Sequence, residues 1–188
     1  MSAPVRLAVI YYSATGHCAE IAKEMAEAAE KAGAEVRLLG VVEGMTERAA
    51  TPEDVEWADA VLFGTPTRFG NVSAQLKQFI DGLGGLWGRG GLADKVYSGF
   101  VTTSTHHGGH ESTLLALYTS IHHFGGVIVA PGYTDPVKFT DGNPYGTSHA
   151  TVKGTNPIGD QTRAAARHQA HRVVRLTTAL KHGLPQSV

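Results

Sequence analysis

Short apolar runs alternate along this chain with stretches whose apolar residues fall at helical spacing. Residues 7–12 (Leu-Ala-Val-Ile-Tyr-Tyr) form a continuous apolar run, as expected of a strand covered on both faces. Ile21, Met25, Ala28 and Ala32 follow at helical spacing, with Gly33 placed to stop that helix. Residues 35–39 predict a second strand. Thr51-Pro52-Glu53 reads as a helix start, with Thr at the cap and Pro at the first helical position. Residues 60–64 predict a third strand, and Val72, Leu76, Phe79, Ile80 and Leu83 then share one helical face. A fourth strand over 96–102, a helical stripe through Leu114, Leu117, Tyr118 and Ile121, a short strand over 127–129 and a last helix over about 162–181 complete the pattern. Strands alternating with helices imply an α/β fold, a doubly wound five-stranded parallel sheet with helices on both faces.

Two segments interrupt the alternation. Residues 82–91 carry too much glycine for a helix or strand, and residues 133–159 contain Pro136, Pro144 and Pro157 with no clear period. Both predict long loops, at about 82–95 and 133–160, and loops of that length in a compact domain tend to carry function.

A chain of 188 residues with 42% hydrophobic and 18% charged residues predicts one soluble domain over 1–188. Sixteen Lys and Arg against seventeen Asp and Glu leave no basic face for nucleic acid. No apolar run approaches the roughly 20 residues that span a bilayer. Met1-Ser2-Ala3-Pro4 lacks the basic and apolar regions of a secretory signal, and a lone Cys18 permits no intrachain disulfide. A cytoplasmic location is the expectation.

The chemistry concentrates where strands end. Ser13-Ala14-Thr15-Gly16-His17-Cys18 joins the first strand to the first helix. Unpaired N–H groups and the positive end of the helix dipole make such a turn a cup for phosphate. Ser13 and Thr15 add hydroxyl donors, and the absence of Lys or Arg there points to a cofactor's terminal monoester and not to phosphoryl transfer. Residues 65–71 and 102–109 leave strands at the same edge, and ligands of doubly wound sheets bind where the strand order reverses. A flat ligand with a phosphate tail would place its phosphate in the first turn and its ring between the other two loops. No basic cluster placed to grip a 2′-phosphate is visible. His106-His107-x-x-His110 offers too few ligands for a metal site without a cysteine pair. Cys18, at a helix start where thiol pKa values fall, reads either as a small residue filling the turn or as a redox thiol.

Ser-x-Thr-Gly-His after the first strand resembles the FMN phosphate loop of flavodoxin-like proteins. Gly64-Thr65-Pro66-Thr67-Arg68-Phe69-Gly70-Asn71-Val72-Ser73, with Gly84-Gly85-Leu86-Trp87 downstream, closely resembles the flavodoxin-like NAD(P)H:quinone oxidoreductases, the Trp-repressor-binding protein or WrbA family. Thr102-Thr103-Ser104-Thr105, Gly108-Gly109-His110-Glu111, Val127-Ile128-Val129-Ala130-Pro131-Gly132-Tyr133 and Pro144-Tyr145-Gly146 extend the similarity from Val5 to about Leu180. The chain departs from the family at Thr15, usually a bulkier residue, and at His110, usually Gln.

The resemblance implies a flavodoxin-like fold and an FMN site. Ser13, Thr15, Gly16, His17 and Cys18 would surround the phosphate; Pro66, Thr67, Arg68, Phe69 and Gly70 would line one edge of the ring; Thr103, Ser104, Thr105 and Gly108 would line the other. It also implies catalytic roles beside the ring for Trp87 and His123, NADH or NADPH as co-substrate, and a homotetramer whose subunits complete one another's sites. The implied reaction is two-electron reduction of quinones to hydroquinones by a ping-pong mechanism. The alternative is a flavodoxin-type electron carrier with no NAD(P)H activity of its own, which would favour a strongly acidic face that this near-neutral chain lacks.

Overall fold

The computed structural model describes residues 3–183. In chain order its elements are β1 (Arg6–Tyr11), α1 (His17–Lys31), β2 (Glu35–Gly40), α2 (Pro52–Trp57), β3 (Ala60–Arg68), β4 (Asn71–Val72), α3 (Ala74–Asp81), α4 (Gly84–Gly88), β5 (Val96–Thr103), α5 (His110–Phe124), β6 (Val127–Ile128), α6 (Pro136–Asp141), β7 (Thr147–Ala150) and α7 (Asp160–Gly183). The parallel sheet runs β2-β1-β3-β5-β6, so the order reverses between β1 and β3, and the loops leaving those two strands diverge there.

Alternation along β1 divides the core. Leu7, Val9 and Tyr11 face one layer with Ile21 and Met25 of α1 and Ala166, Ala170 and Val173 of α7. Ala8 and Ile10 face the other, with Leu76 and Ile80 of α3 and Leu114, Leu117 and Ile121 of α5. Burial on both faces explains why these strands read as unbroken apolar runs. Gly33, at φ 88, ends α1 and lets the Ala34 N–H reach the Ala29 carbonyl at 3.0 Å. At the start of α2 the predicted cap is present: Thr51 and Asp54 form a reciprocal capping box.

Three expectations are corrected. Residues 65–71 are not a free loop, because β3 continues to Arg68 and turns back through Phe69 and Gly70 into β4, pairing Thr67 with Val72 and Arg68 with Asn71. Phe69 (φ 52) and Gly70 (φ 74) supply the two positive φ values that a two-residue hairpin requires. The glycine-rich segment forms one helical turn, α4, anchored by the buried Leu86. The segment 133–159 contains both α6, capped by Asp135 and opened by Pro136, and the strand β7.

The strand β7 adds to the sheet, which among the described residues has seven strands, five of them on the expected parallel path. Its fifth position is filled twice: β6 pairs with Val96 and Tyr97, and β7 with Phe100 to Thr103. The chain leaves the sheet between them. Gln169 of α7, fully buried, bridges the break by donating to the Gly99 carbonyl (2.8 Å) and to Ser98 Oγ (2.7 Å) and accepting from the Thr147 N–H (2.7 Å). A side chain thereby replaces the missing ladder bonds, which a buried strand edge needs. No helix among the described residues is long and apolar enough to cross a membrane.

Candidate functional site

At the carboxyl edge, over the reversal point, lies a cavity of about 410 Å³. Its walls come from the three strand-end segments. Thr15 and the neighbouring Ala14 line it from the turn after β1, Pro66, Thr67, Arg68 and Phe69 from the hairpin, and Thr103, Ser104, Thr105 and Gly108 from the loop after β5.

The turn after β1 is shaped by Gly16, whose left-handed backbone (φ 90) opens α1 with no side-chain cap. Ser13 Oγ takes the N–H of Ala19 at 3.3 Å, and Thr15 Oγ1 lies 3.0 Å from Nδ1 of His17. A helix start opened by glycine, with two hydroxyls at its mouth, offers backbone donors to an anion. Cys18 lies one residue inside the helix and is buried, with Sγ 3.1 Å from Thr102 Oγ1. Burial pushes its thiol up to about 12, against the smaller opposing effects of the Thr102 contacts and the Arg68 charge. Of the two readings, burial favours the small residue: Cys18 fills a slot behind the turn.

The hairpin stands where it does because its tip packs on the start of α5. Ser112 Oγ donates to the Gly70 carbonyl at 3.0 Å, and a Cβ on Gly109 would come within 2.8 Å of the Gly70 Cα. Gly70 thus sets the hairpin against α5 and does not itself line the cavity. Phe69, just before it, is fully exposed, an uncommon state for a large apolar ring held at positive φ.

On the opposite wall, the Thr103 hydroxyl donates to the Thr105 carbonyl at 2.7 Å and meets Nε2 of His110. Burial lowers the pKa of His110 below that of a free imidazole. Gly108 closes this loop: a Cβ there would lie 3.0 Å from both Thr103 Cβ and the Thr105 carbonyl oxygen.

A fourth wall was not anticipated. Thr151, Lys153 and Gly154, just after β7, also line the cavity, and the Thr151 N–H donates to the Thr103 carbonyl at 2.8 Å. The prolines and glycines of residues 133–159 hid this strand; the small, β-prone run Thr147-Ser148-His149-Ala150 was the available signal.

Trp87 and His123 are brought together, but away from the cradle. Trp87 Nε1 donates to the His123 carbonyl at 2.9 Å, and both face a second cavity with Lys77, Asp81 and Phe124. His123 lies near the end of α5, and the 15 residues of that helix put it about 20 Å from the cradle at the helix start. His106 and His110 border a polar cavity with Asp141 and His149. Among the described residues, no group of three or more His, Cys, Asp or Glu is arranged to hold a metal ion.

The features of the cradle match what FMN needs: an anion cup without a cation in its turn, two walls spaced around a slot, and a fully exposed aromatic at the rim. Sheet order and cradle together define a flavodoxin-like α/β protein. More narrowly, the chain belongs to the NADPH-dependent FMN reductase family, whose model matches residues 5–134. A Deinococcus radiodurans protein named NAD(P)H dehydrogenase (quinone) is 45% identical, covering 96% of this chain and 99% of that protein. A Methylocella silvestris protein of the same name is 39% identical over 94% of this chain and 98% of its own length. Among solved structures, the flavodoxin, WrbA-like protein of Agrobacterium tumefaciens superposes with a TM-score of 0.75 at 25% identity, covering 93% of this chain and 98% of that one.

Proposed function

We infer that this chain is an FMN-dependent NAD(P)H:quinone oxidoreductase. The observation that carries the reading is the convergence of an uncapped helix start, a β-hairpin and a glycine-closed loop on one open slot at the reversal point of the sheet. The 45% identical relative named NAD(P)H dehydrogenase (quinone) supports the same activity.

FMN, when bound, supplies the ring that accepts electrons from NAD(P)H and passes them to a quinone. The chain's own residues bind and orient it. In this reading the α1 start and the hydroxyls of Ser13 and Thr15 take the phosphate, with Gly16 giving the turn its shape and His17 and Cys18 completing it. Pro66, Thr67, Arg68 and Phe69 hold one side of the ring, with Gly70 fixing their hairpin; Thr103, Ser104, Thr105 and Gly108 hold the other. The Thr103 hydroxyl is held between the Thr105 carbonyl at 2.7 Å and Nε2 of His110. Neutral donors fixed in place favour negative charge on a bound ligand without reorganisation.

The two substrates, each planar at its reacting end, would use the slot in turn. Double-reciprocal plots should be parallel, as ping-pong kinetics requires. His123, far along α5, and Trp87 of α4, bonded to it, lie too far away to reach their own chain's slot, and Trp87 is 58% exposed. They are proposed to wall a neighbour's slot in a homotetramer. A cytoplasmic setting fits a buried free thiol and a soluble electron donor. The deciding test is rapid mixing of FMN-loaded protein with NADPH or NADH, then benzoquinone. Bleaching of the flavin absorbance followed by its return supports the enzyme; a flavin that NAD(P)H leaves oxidised favours an electron carrier.

A further inference from the structure

The rim of the cradle carries charge of one sign. Arg68 from the hairpin and Lys153 from the turn after β7 are the charged side chains lining it, and among the described residues no carboxylate joins them. Both are exposed. Arg68 donates only to its neighbour's carbonyl, Thr67 O, at 3.0 Å. The ion pairs among the described residues involve neither cation.

Lys153 is held at this rim by a costly backbone. Val152 (φ 45), Lys153 (φ 56) and Gly154 (φ 87) are three successive left-handed residues. Non-glycine residues adopt that conformation uncommonly, and β-branched ones are outliers there. Hydrogen bonds enforce it. The Lys153 N–H donates to the Ser104 carbonyl (3.3 Å), and the Gly154 and Asn156 N–H groups both donate to the Thr151 carbonyl (2.9 Å each). The Asn156 side-chain amide ties the turn to the Ala150 carbonyl at 2.7 Å. The turn is thus part of the cradle wall, and strain kept at a cavity rim by so many bonds points to a functional position.

We propose that Lys153, acting with Arg68 across the mouth, is the specificity-determining cation that binds the phosphate groups of the incoming nicotinamide dinucleotide. The inference rests on the quinone oxidoreductase reading. The FMN phosphate has its own cup at α1, in a turn without Lys or Arg. A quinone carries no phosphate. The dinucleotide is the one reactant whose anionic groups must lie outside the slot while its nicotinamide enters, and two uncompensated cations at the mouth complement it.

The test compares FMN-loaded wild type with Lys153→Ala, Lys153→Glu, Lys153→Arg and Lys153→Gly, the last keeping the left-handed turn without strain. Calorimetry with NADP⁺, which the oxidised enzyme cannot turn over, reads binding directly; steady-state assays give KM for NADPH, NADH and benzoquinone; FMN titration of the apoprotein gives cofactor affinity. Lys153→Ala and Lys153→Gly should each weaken NADP⁺ binding and raise the NADPH KM by about tenfold, the size of one charge-assisted contact. Lys153→Glu should do more, Lys153→Arg should restore binding, and the loss of NADP⁺ affinity should exceed any change in FMN affinity or benzoquinone KM. Unchanged NADP⁺ affinity in Lys153→Gly overturns the proposal, as does a loss that falls on FMN or benzoquinone instead. Wild type that binds NADP⁺ through Lys153 yet never oxidises NADPH would refute the enzymatic reading while upholding the assignment of the cation.

Discussion

Nε2 of His110 and the Thr105 carbonyl both lie within hydrogen-bond distance of the Thr103 hydroxyl. One half-buried imidazole thereby holds a cradle hydroxyl from behind. Glu111, Asp141 and His106 are the charged or titratable groups around it, yet burial dominates and holds its pKa below the ordinary 6.5. As pH falls below about 6.5, the unfolded chain takes up a proton that the folded chain refuses, so this residue's contribution to stability is lost on acidification. Denaturant unfolding between pH 5 and 7.5 should show stability rising with pH. His110→Gln should flatten part of that slope, to which His168, shifted the same way, also contributes. An identical slope in the variant contradicts the assignment.

Cys18 should be chemically silent in the folded state. With its thiol near 12 and its sulfur buried, essentially no thiolate is present at pH 8. Iodoacetamide should leave the native protein unmodified and alkylate it fully in guanidinium chloride. Ready native-state labelling would restore the redox-thiol reading.

Gln169→Leu tests the repair of the broken fifth strand. The substitution strands the Thr147 N–H and removes a donor from the Gly99 carbonyl, both buried beside β5. Leaving such groups unpaired costs about 3 kcal/mol in all, which lowers Tm by roughly 10 °C in a chain of this size. A shift of only a degree or two would mean that the side chain is dispensable to the ladder.

Trp87 and His123 test the assembly. Neither Trp87→Ala nor Gly108→Val, which drives a Cβ into Thr103 and the Thr105 carbonyl, should be active alone. Subunits mixed from the two variants should regain activity, because an intact slot on one chain can meet an intact Trp87 from another. Native mass spectrometry should find the wild type tetrameric. Failure of mixed subunits to recover any turnover contradicts the shared-site reading.

The sheet was legible wherever burial leaves a periodic trace. Residues 7–12, the Ile21–Met25 stripe and the Leu114–Leu117 stripe are covered by apolar neighbours, so their patterns translate directly into elements. The first three walls of the cradle were legible because phosphate turns and strand-end loops have a local chemistry. The fourth was not. Strand β7 is four residues long, with polar side chains whose burial depends on the distant Gln169 and Thr162, and no local pattern records such a partner. Lys153 was missed for the same reason: an isolated lysine in a Gly- and Pro-rich stretch becomes a cradle residue only after β7 docks on β5. The hairpin at Phe69 and Gly70 was read as a loop because positive φ at phenylalanine is not a sequence signal.

Calorimetric titration of the apoprotein with FMN tests the central claim most directly. Wild type should bind one FMN per chain, quench the flavin's fluorescence and gain thermal stability, while Gly108→Val, whose Cβ crowds Thr103 and the Thr105 carbonyl in the cradle wall, should bind FMN more weakly. Wild type that leaves flavin emission and Tm unmoved at saturating FMN, or a Gly108→Val variant that binds as well as wild type, would contradict the assignment of this cradle to the cofactor.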